Sequence, residues 1–86
     1  SSGINLPSIK IDKKNFDKTM NIIDLIIFTK LEVSKSEVRR LIKGKAIKID
    51  NNLIIDEKYI ININDYNNDY IKLSIGKKRH LKIEIT

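Results

Sequence analysis

From Leu6 to Ile11, apolar and polar residues alternate behind Pro7, the period-two pattern of a short extended segment with one inward face. Asp12 to Thr19 is polar except for Phe16 and predicts a loop or a helical turn. The period then lengthens. Ile22, Ile23, Ile26 and Ile27 recur at helical spacing, with Phe28 and Leu31 extending the face, so a mostly buried helix is predicted from Asn21 to about Lys30. Ser34-Lys35-Ser36-Glu37 has the form of a capping box: Ser34 accepts from the Glu37 amide while the Glu37 carboxylate reaches back to the Ser34 amide. Val38, Leu41 and Ile42, at i, i+3 and i+4, give this second helix a short core-facing stripe, and Gly44 is placed to end it. Few residues separate the two helices, which predicts a compact helical pair.

Beyond Gly44 the period returns to two. Ala46 to Ile49, Asp50-Asn51-Asn52 and Leu53 to Ile55 predict a β-hairpin whose turn residues tolerate positive φ. Tyr59-Ile60-Ile61 with Ile63 suggests another short strand, and Asp65 to Asp69 a polar turn. Tyr70 to Ile75 and Arg79 to Ile85, around Gly76-Lys77-Lys78, form a second hairpin with alternating faces. The predicted architecture is α+β, a helix pair packed on a small antiparallel sheet of hairpins.

The chain has 86 residues, room for one domain. A domain of this size buries only ~60% of the surface its unfolded chain exposes, which leaves little space for a deep catalytic cavity. Ser1-Ser2-Gly3 reads as a cloning scar or linker, so residues 1–5 are set apart and the domain is expected over 6–86. No apolar run reaches the ~18–20 residues of a membrane span, and the chain does not open on a secretory signal pattern. There is no cysteine, which removes disulfides and Cys-based zinc sites and fits a reducing, cytoplasmic setting.

Charge changes the picture. Lys and Arg number 17 against 11 acids, a formal net charge of +6, and such an excess favours polyanion partners. The composition is rich in Ile, Lys and Asn throughout, so the placement of the cations matters more than their number. With Val38, Leu41 and Ile42 inward, Lys35, Arg39 and Lys43 fall at i, i+4 and i+8 along one flank of the second helix. Arg40 and Ser36 lie on its outer face, and Glu37 falls on the opposite flank. Lys45 and Lys48 carry the positive charge into the first hairpin. Such an edge is either an ordinary solvated face or an anion-binding surface. Lys35 stands in the first turn, where the helix dipole disfavours a cation by ~0.3–1 kcal/mol, and a phosphate bound there reverses the sign.

Gly76-Lys77-Lys78-Arg79-His80 is a second basic cluster, in a tight turn where like charges repel and a phosphate would relieve them. A solubilising turn that blocks edge pairing is the alternative. It is not a phosphate-binding loop of the nucleotide-hydrolase type: Ile71 stands where the first glycine belongs, and Lys77 is followed by Lys78. His80, the single histidine, has neither cysteine nor a second histidine to build a metal or catalytic constellation. Tyr59, Tyr66 and Tyr70 lack a recognisable base-stacking spacing and are read as packing and turn residues. The Asp50/Asn52 and Asp65/Asn67/Asp69 stretches lack the central glycine and closing glutamate of a calcium loop.

Ser34-Lys35-Ser36-Glu37-Val38-Arg39-Arg40-Leu41-Ile42-Lys43-Gly44, followed by Ile47-Lys48-Ile49-Asp50-Asn51, resembles the S4 RNA-binding motif: a capped helix with an Arg-rich edge, a tight turn and a strand. The version is most similar to that of bacterial tyrosyl-tRNA synthetases, and Ile71 to His80 is similar to the closing hairpin of the same C-terminal domain. The likeness runs from about Met20 onward. Gly44-Lys45-Ala46 departs from the consecutive glycines often found after the helix, and Asp50-Asn51-Asn52 from the usual Asn-Gly.

The resemblance implies an S4-like fold and a non-catalytic appendage that grips RNA, tRNA(Tyr) in particular. The contacts it implies are Ser34, Lys35, Ser36, Arg39, Arg40, Lys43, Lys45, Lys48, Lys77, Lys78, Arg79 and His80. It implies no cofactor or metal here, with ATP and magnesium belonging to an upstream catalytic domain of the tyrosine-tRNA ligase. The fragment is expected to be monomeric, the parent enzyme a homodimer, and no membrane partner is expected. An S4 domain of a ribosomal protein or pseudouridine synthase, or a protein-interaction module, are the competing readings.

Overall fold

Two capping side chains set the start of the first helix, α1 (Ile22–Thr29). Asn21 Oδ1 accepts from the Asp24 amide at 2.8 Å, and Asp24 Oδ2 accepts from the Asn21 amide at 3.5 Å, a complete capping box. Lys30, at φ 64°, closes the helix in the left-handed conformation. Ile22, Leu25 and Ile26 are fully buried, whereas Phe28, expected on the same face, is 48% exposed. Phe28 falls well round the helix from the Ile22–Leu25–Ile26 line, so it cannot share that face.

In α2 (Lys35–Lys43), Ser34 Oγ accepts from the Glu37 amide at 3.4 Å as expected. The Glu37 carboxylate does not return to Ser34. It pairs with Arg40 at 2.8 Å, a charge-assisted bond stronger than one to a neutral amide. Val38 and Ile42 are buried and Leu41 packs half-buried against them.

The computed structural model describes residues 7–16, 20–62 and 70–86. The expected linker at 1–5, Ile63, and the polar turn from Asp65 to Asp69 with Tyr66 lie outside these residues. The strands are β1 (Ser8–Ile11), β2 (Ile47–Ile49), β3 (Asn52–Leu53), β4 (Tyr70–Ile75) and β5 (Arg79–Ile85), in the sheet order β1-β5-β4-β2-β3. Lys13–Asn15 adds a turn of 3-10 helix capped by Asp12.

The sheet is mixed rather than wholly antiparallel, because β1 runs parallel to β5, with Ile9 beside Ile83 and Ile11 beside Ile85. Alternation determines which β1 residues face inward but not the direction in which the strand docks. The first hairpin turns on Asp50 and Asn51, both at positive φ (50° and 70°), which is the two-residue loop that follows the twist of its strands. Asp50 is also fastened to β4: its amide donates to the Lys72 carbonyl and its carboxylate accepts from the Lys72 amide, both at 2.9 Å. The returning strand is shorter than expected, two residues, with Ile54 buried beyond it and Ile55 70% exposed. Tyr59 to Ile61 forms only an isolated bridge, Ile60 opposite Asn21, flanked by 2.8 Å bonds from Ile22 to Tyr59 and from Ile61 to Met20.

One core results. Ile71, Leu73, Leu81, Ile83, Ile47 and Ile49 from one sheet face meet Ile22, Leu25, Ile26, Val38 and Ile42 from the helices. Fully burying each such side chain is worth ~1.5–3 kcal/mol. The helices therefore cover one face of the sheet, and the polar residues of the central strands occupy the other.

Candidate nucleic-acid interface

With its apolar stripe held against the sheet, α2 turns Lys35, Ser36, Arg39, Arg40 and Lys43 to solvent. The wheel expected from the sequence is reproduced, but the cations are not equivalent. Arg40 is matched by Glu37, whose hydrogen bond and then charge raise the guanidinium pKa further. Arg39 Nε lies 3.9 Å from Glu57, a long, half-exposed pair that holds it weakly. Among the described residues, no carboxylate comes within ion-pair distance of Lys35, Lys43, Lys45 or Lys48. Ser34, occupied as the cap, also shares a 2.9 Å hydrogen bond with Ser36.

The end of α2 is built differently from the expectation. Gly44 is the C-cap but keeps φ −80°, and the left-handed position falls on Lys45, at φ 60°. The Lys45 amide donates to Ile42 and the Ala46 amide to Leu41, both at 3.0 Å, the two bonds of a Schellman closure. This closure normally selects glycine at the residue that here is lysine.

The structure brings together two basic clusters that are far apart in the chain. The Gly76 amide donates to the Ala46 carbonyl at 2.8 Å, which fixes the β4–β5 turn beside the C-terminal end of α2. On the other side, Arg79 Nη1 donates to the Leu31 carbonyl at 3.1 Å and lies 3.5 Å from Glu32, tying the same hairpin to the loop that precedes α2. Lys77 and Lys78 are thereby exposed at a tip next to the helix, with no described carboxylate paired to either.

Arg79 and His80 serve the fold as well as the charge. His80 is half-buried, and its ring nitrogens lie 3.0 Å from Ser74 Oγ and 3.0 Å from the Lys77 carbonyl. A carbonyl only accepts, so Nε2 carries the proton that is donated to Lys77. The ring thus braces the turn that presents Lys77 and Lys78. The cations left for an anion are Lys35, Arg39, Lys43, Lys45, Lys77 and Lys78 around α2 and the β4–β5 turn, whereas Lys48 stands on the sheet face turned away from the helices. Such dispersed ammonium and guanidinium groups suit phosphates and sugars more than base edges.

Among the described residues, no cluster of His, Asp or Glu could hold a metal ion, and no helix is long and apolar enough to cross a membrane. The sequence over residues 3–83 matches the family described as the tyrosine–tRNA ligase SYY-like C-terminal domain. The chain is 52% identical over 85 residues to the tyrosine–tRNA ligase of Pelagibacter ubique, covering 99% of this chain and 21% of that protein. It is 40% identical over 82 residues to the tyrosine–tRNA ligase of a Wolbachia of Brugia malayi, covering 94% of this chain and 20% of that one. The enzyme of Ehrlichia chaffeensis is 40% identical over 83 residues, 95% of this chain and 19% of its own length. The chain thus spans about a fifth of the length of these relatives. The match decides among the parents that an S4 resemblance alone leaves open: this chain belongs to the family of tyrosine–tRNA ligase C-terminal domains.

Proposed function

We propose that this domain is a non-catalytic tRNA-binding appendage that grips tRNA(Tyr) through phosphate and sugar contacts. Tyrosine activation and transfer, with the ATP and magnesium they need, belong on this reading to a separate catalytic domain of a homodimeric cytoplasmic ligase. The observation that carries the proposal is the convergence of Lys43 and Lys45 with Lys77 and Lys78, joined by the Gly76–Ala46 hydrogen bond, on one end of the fold. Cations gathered without described counter-charges repel one another until a polyanion arrives. Its relatives are tyrosine–tRNA ligases, which supports tRNA(Tyr) as that polyanion.

The test is the affinity of the chain for a tRNA(Tyr) transcript across a salt series. Affinity should fall by roughly 0.7–0.9 log units per log unit of salt for each phosphate contact. Binding unchanged between low and physiological salt would overturn the proposal.

A further inference from the structure

The face of the sheet turned away from both helices carries cations of its own. Alternation in β4 and β5 sends Ile71, Leu73, Leu81 and Ile83 into the core, and Tyr70, Lys72, Lys82 and Glu84 to the outer face. In register, Lys72 stands directly across from Lys82, and Tyr70 across from Glu84. The parallel pairing of β1 sets Lys10 beside Glu84, and β2 sets Lys48 beside Ser74. The described strands therefore present Lys10, Lys48, Lys72 and Lys82 on this face against a single carboxylate, Glu84.

One of these placements, Lys72 opposite Lys82, is unfavourable for the chain by itself. Like charges directly opposite on neighbouring strands destabilise the pairing, and neither Lys72 nor Lys82 has a described ion-pair partner. Lysines on a sheet commonly serve to block edge pairing, but β4 and β5 are both interior strands, so that purpose does not apply. Lys82 Nζ instead lies 4.6 Å from the centroid of the Tyr70 ring, a cation–π contact that holds the ammonium at the surface. Tyr70 itself is 38% exposed, an aromatic with one edge in solvent on a positively charged face. A phosphate between Lys72 and Lys82 turns their repulsion into shared attraction, and the ring beside them offers a surface for a sugar or a base.

We propose that this outer sheet face is a second RNA-backbone contact, in which Lys72 and Lys82 close on a phosphate next to Tyr70. Lys48, across from Ser74 on β2, adds a further cation to this face. The inference rests on the tRNA-binding reading and extends it from the helix edge to the sheet.

The experiment compares three double variants of the chain in tRNA(Tyr) titrations across salt, with a hydroxyl-radical footprint of the bound RNA. The variants are Lys72→Gln with Lys82→Gln on the sheet, Arg39→Ala with Lys43→Ala on the helix, and Lys13→Gln with Lys58→Gln as a charge-matched control. Loss of the one phosphate contact that Lys72 and Lys82 share should make the salt slope of the sheet variant shallower by about 0.7–0.9. It should also remove protection from a tract that the helix variant still protects. Thermal unfolding of the sheet variant at or above the wild-type midpoint, as expected once the repulsion is gone, assigns its loss of binding to contact rather than to misfolding. A sheet variant that matches the control in slope and footprint, while the helix variant weakens, overturns this inference and leaves the tRNA reading standing. Salt-insensitive binding by the wild-type chain overturns both.

Discussion

Lys45 holds φ 60°, where its β-carbon crowds the backbone and glycine would be free of strain. Its side chain is exposed and makes no described ion pair, so nothing inside the fold accounts for lysine there. A cation close to a helix C-terminus does complement the dipole, worth ~0.3–1 kcal/mol, but Lys43 already stands in that last turn. The strain is explained if the ammonium is required by a ligand. Lys45→Gly should therefore have opposite effects on two measurements. Urea unfolding should show a gain of about 0.5–1 kcal/mol, as the left-handed strain is relieved against the greater freedom of glycine in the unfolded chain. The tRNA titration should show weaker binding. A variant that is more stable and binds as well as wild type would mean that Lys45 is merely tolerated.

At the scale of elements, both helices were legible to within a residue or two because their apolar period is strong and their N-caps are explicit. What the sequence misplaced was the reciprocal capping box. Ser34-Lys35-Ser36-Glu37 has the better-known letters, but Arg40, one turn on, competes for Glu37 and wins the carboxylate. Asn21 and Asp24 form the full box instead, with residue types less distinctive of it. The basic edge of α2 was legible in full, since a helix wheel needs only local geometry. Whether that edge is functional is tested by Arg39→Ala with Lys43→Ala. The pair with Glu57 is long and exposed, so the double variant should stay within ~0.5 kcal/mol of wild type in stability. Its tRNA affinity should fall well below that of Lys13→Ala with Lys58→Ala, which removes equal charge elsewhere. Equal losses would reduce the edge to a contribution of net charge.

Over the whole molecule, what escaped the sequence is long-range. No local pattern shows that Gly76 will meet Ala46, that Arg79 will reach Leu31, or that Lys72 and Lys82 will stand opposite each other. These follow from strand order and register, and a pattern read along the chain is blind to both. The N-terminal strand is the clearest case. Its alternation is brief, Pro7 opens it, and the polar stretch from Asp12 separates it from the rest of the apolar pattern. Yet β1 covers the outer side of β5, with the Lys82 amide donating to Pro7 at 2.9 Å and the Thr86 amide to Ile11 at 3.0 Å. Ile11 is 1% exposed and belongs to the same core as Ile71 and Ile83. If β1 is integral to the fold, Ile11→Ala should lose ~2–5 kcal/mol in urea unfolding, as expected for a truncated core isoleucine. Ile55→Ala, at a site 70% exposed, should remain within ~0.5 kcal/mol of wild type. In a domain whose total stability is of order 5–15 kcal/mol, the first change would leave a substantial unfolded population at moderate temperature. An Ile11→Ala variant as stable as Ile55→Ala would show that β1 is an ornament on a four-stranded sheet, and that the fold closes without its parallel edge.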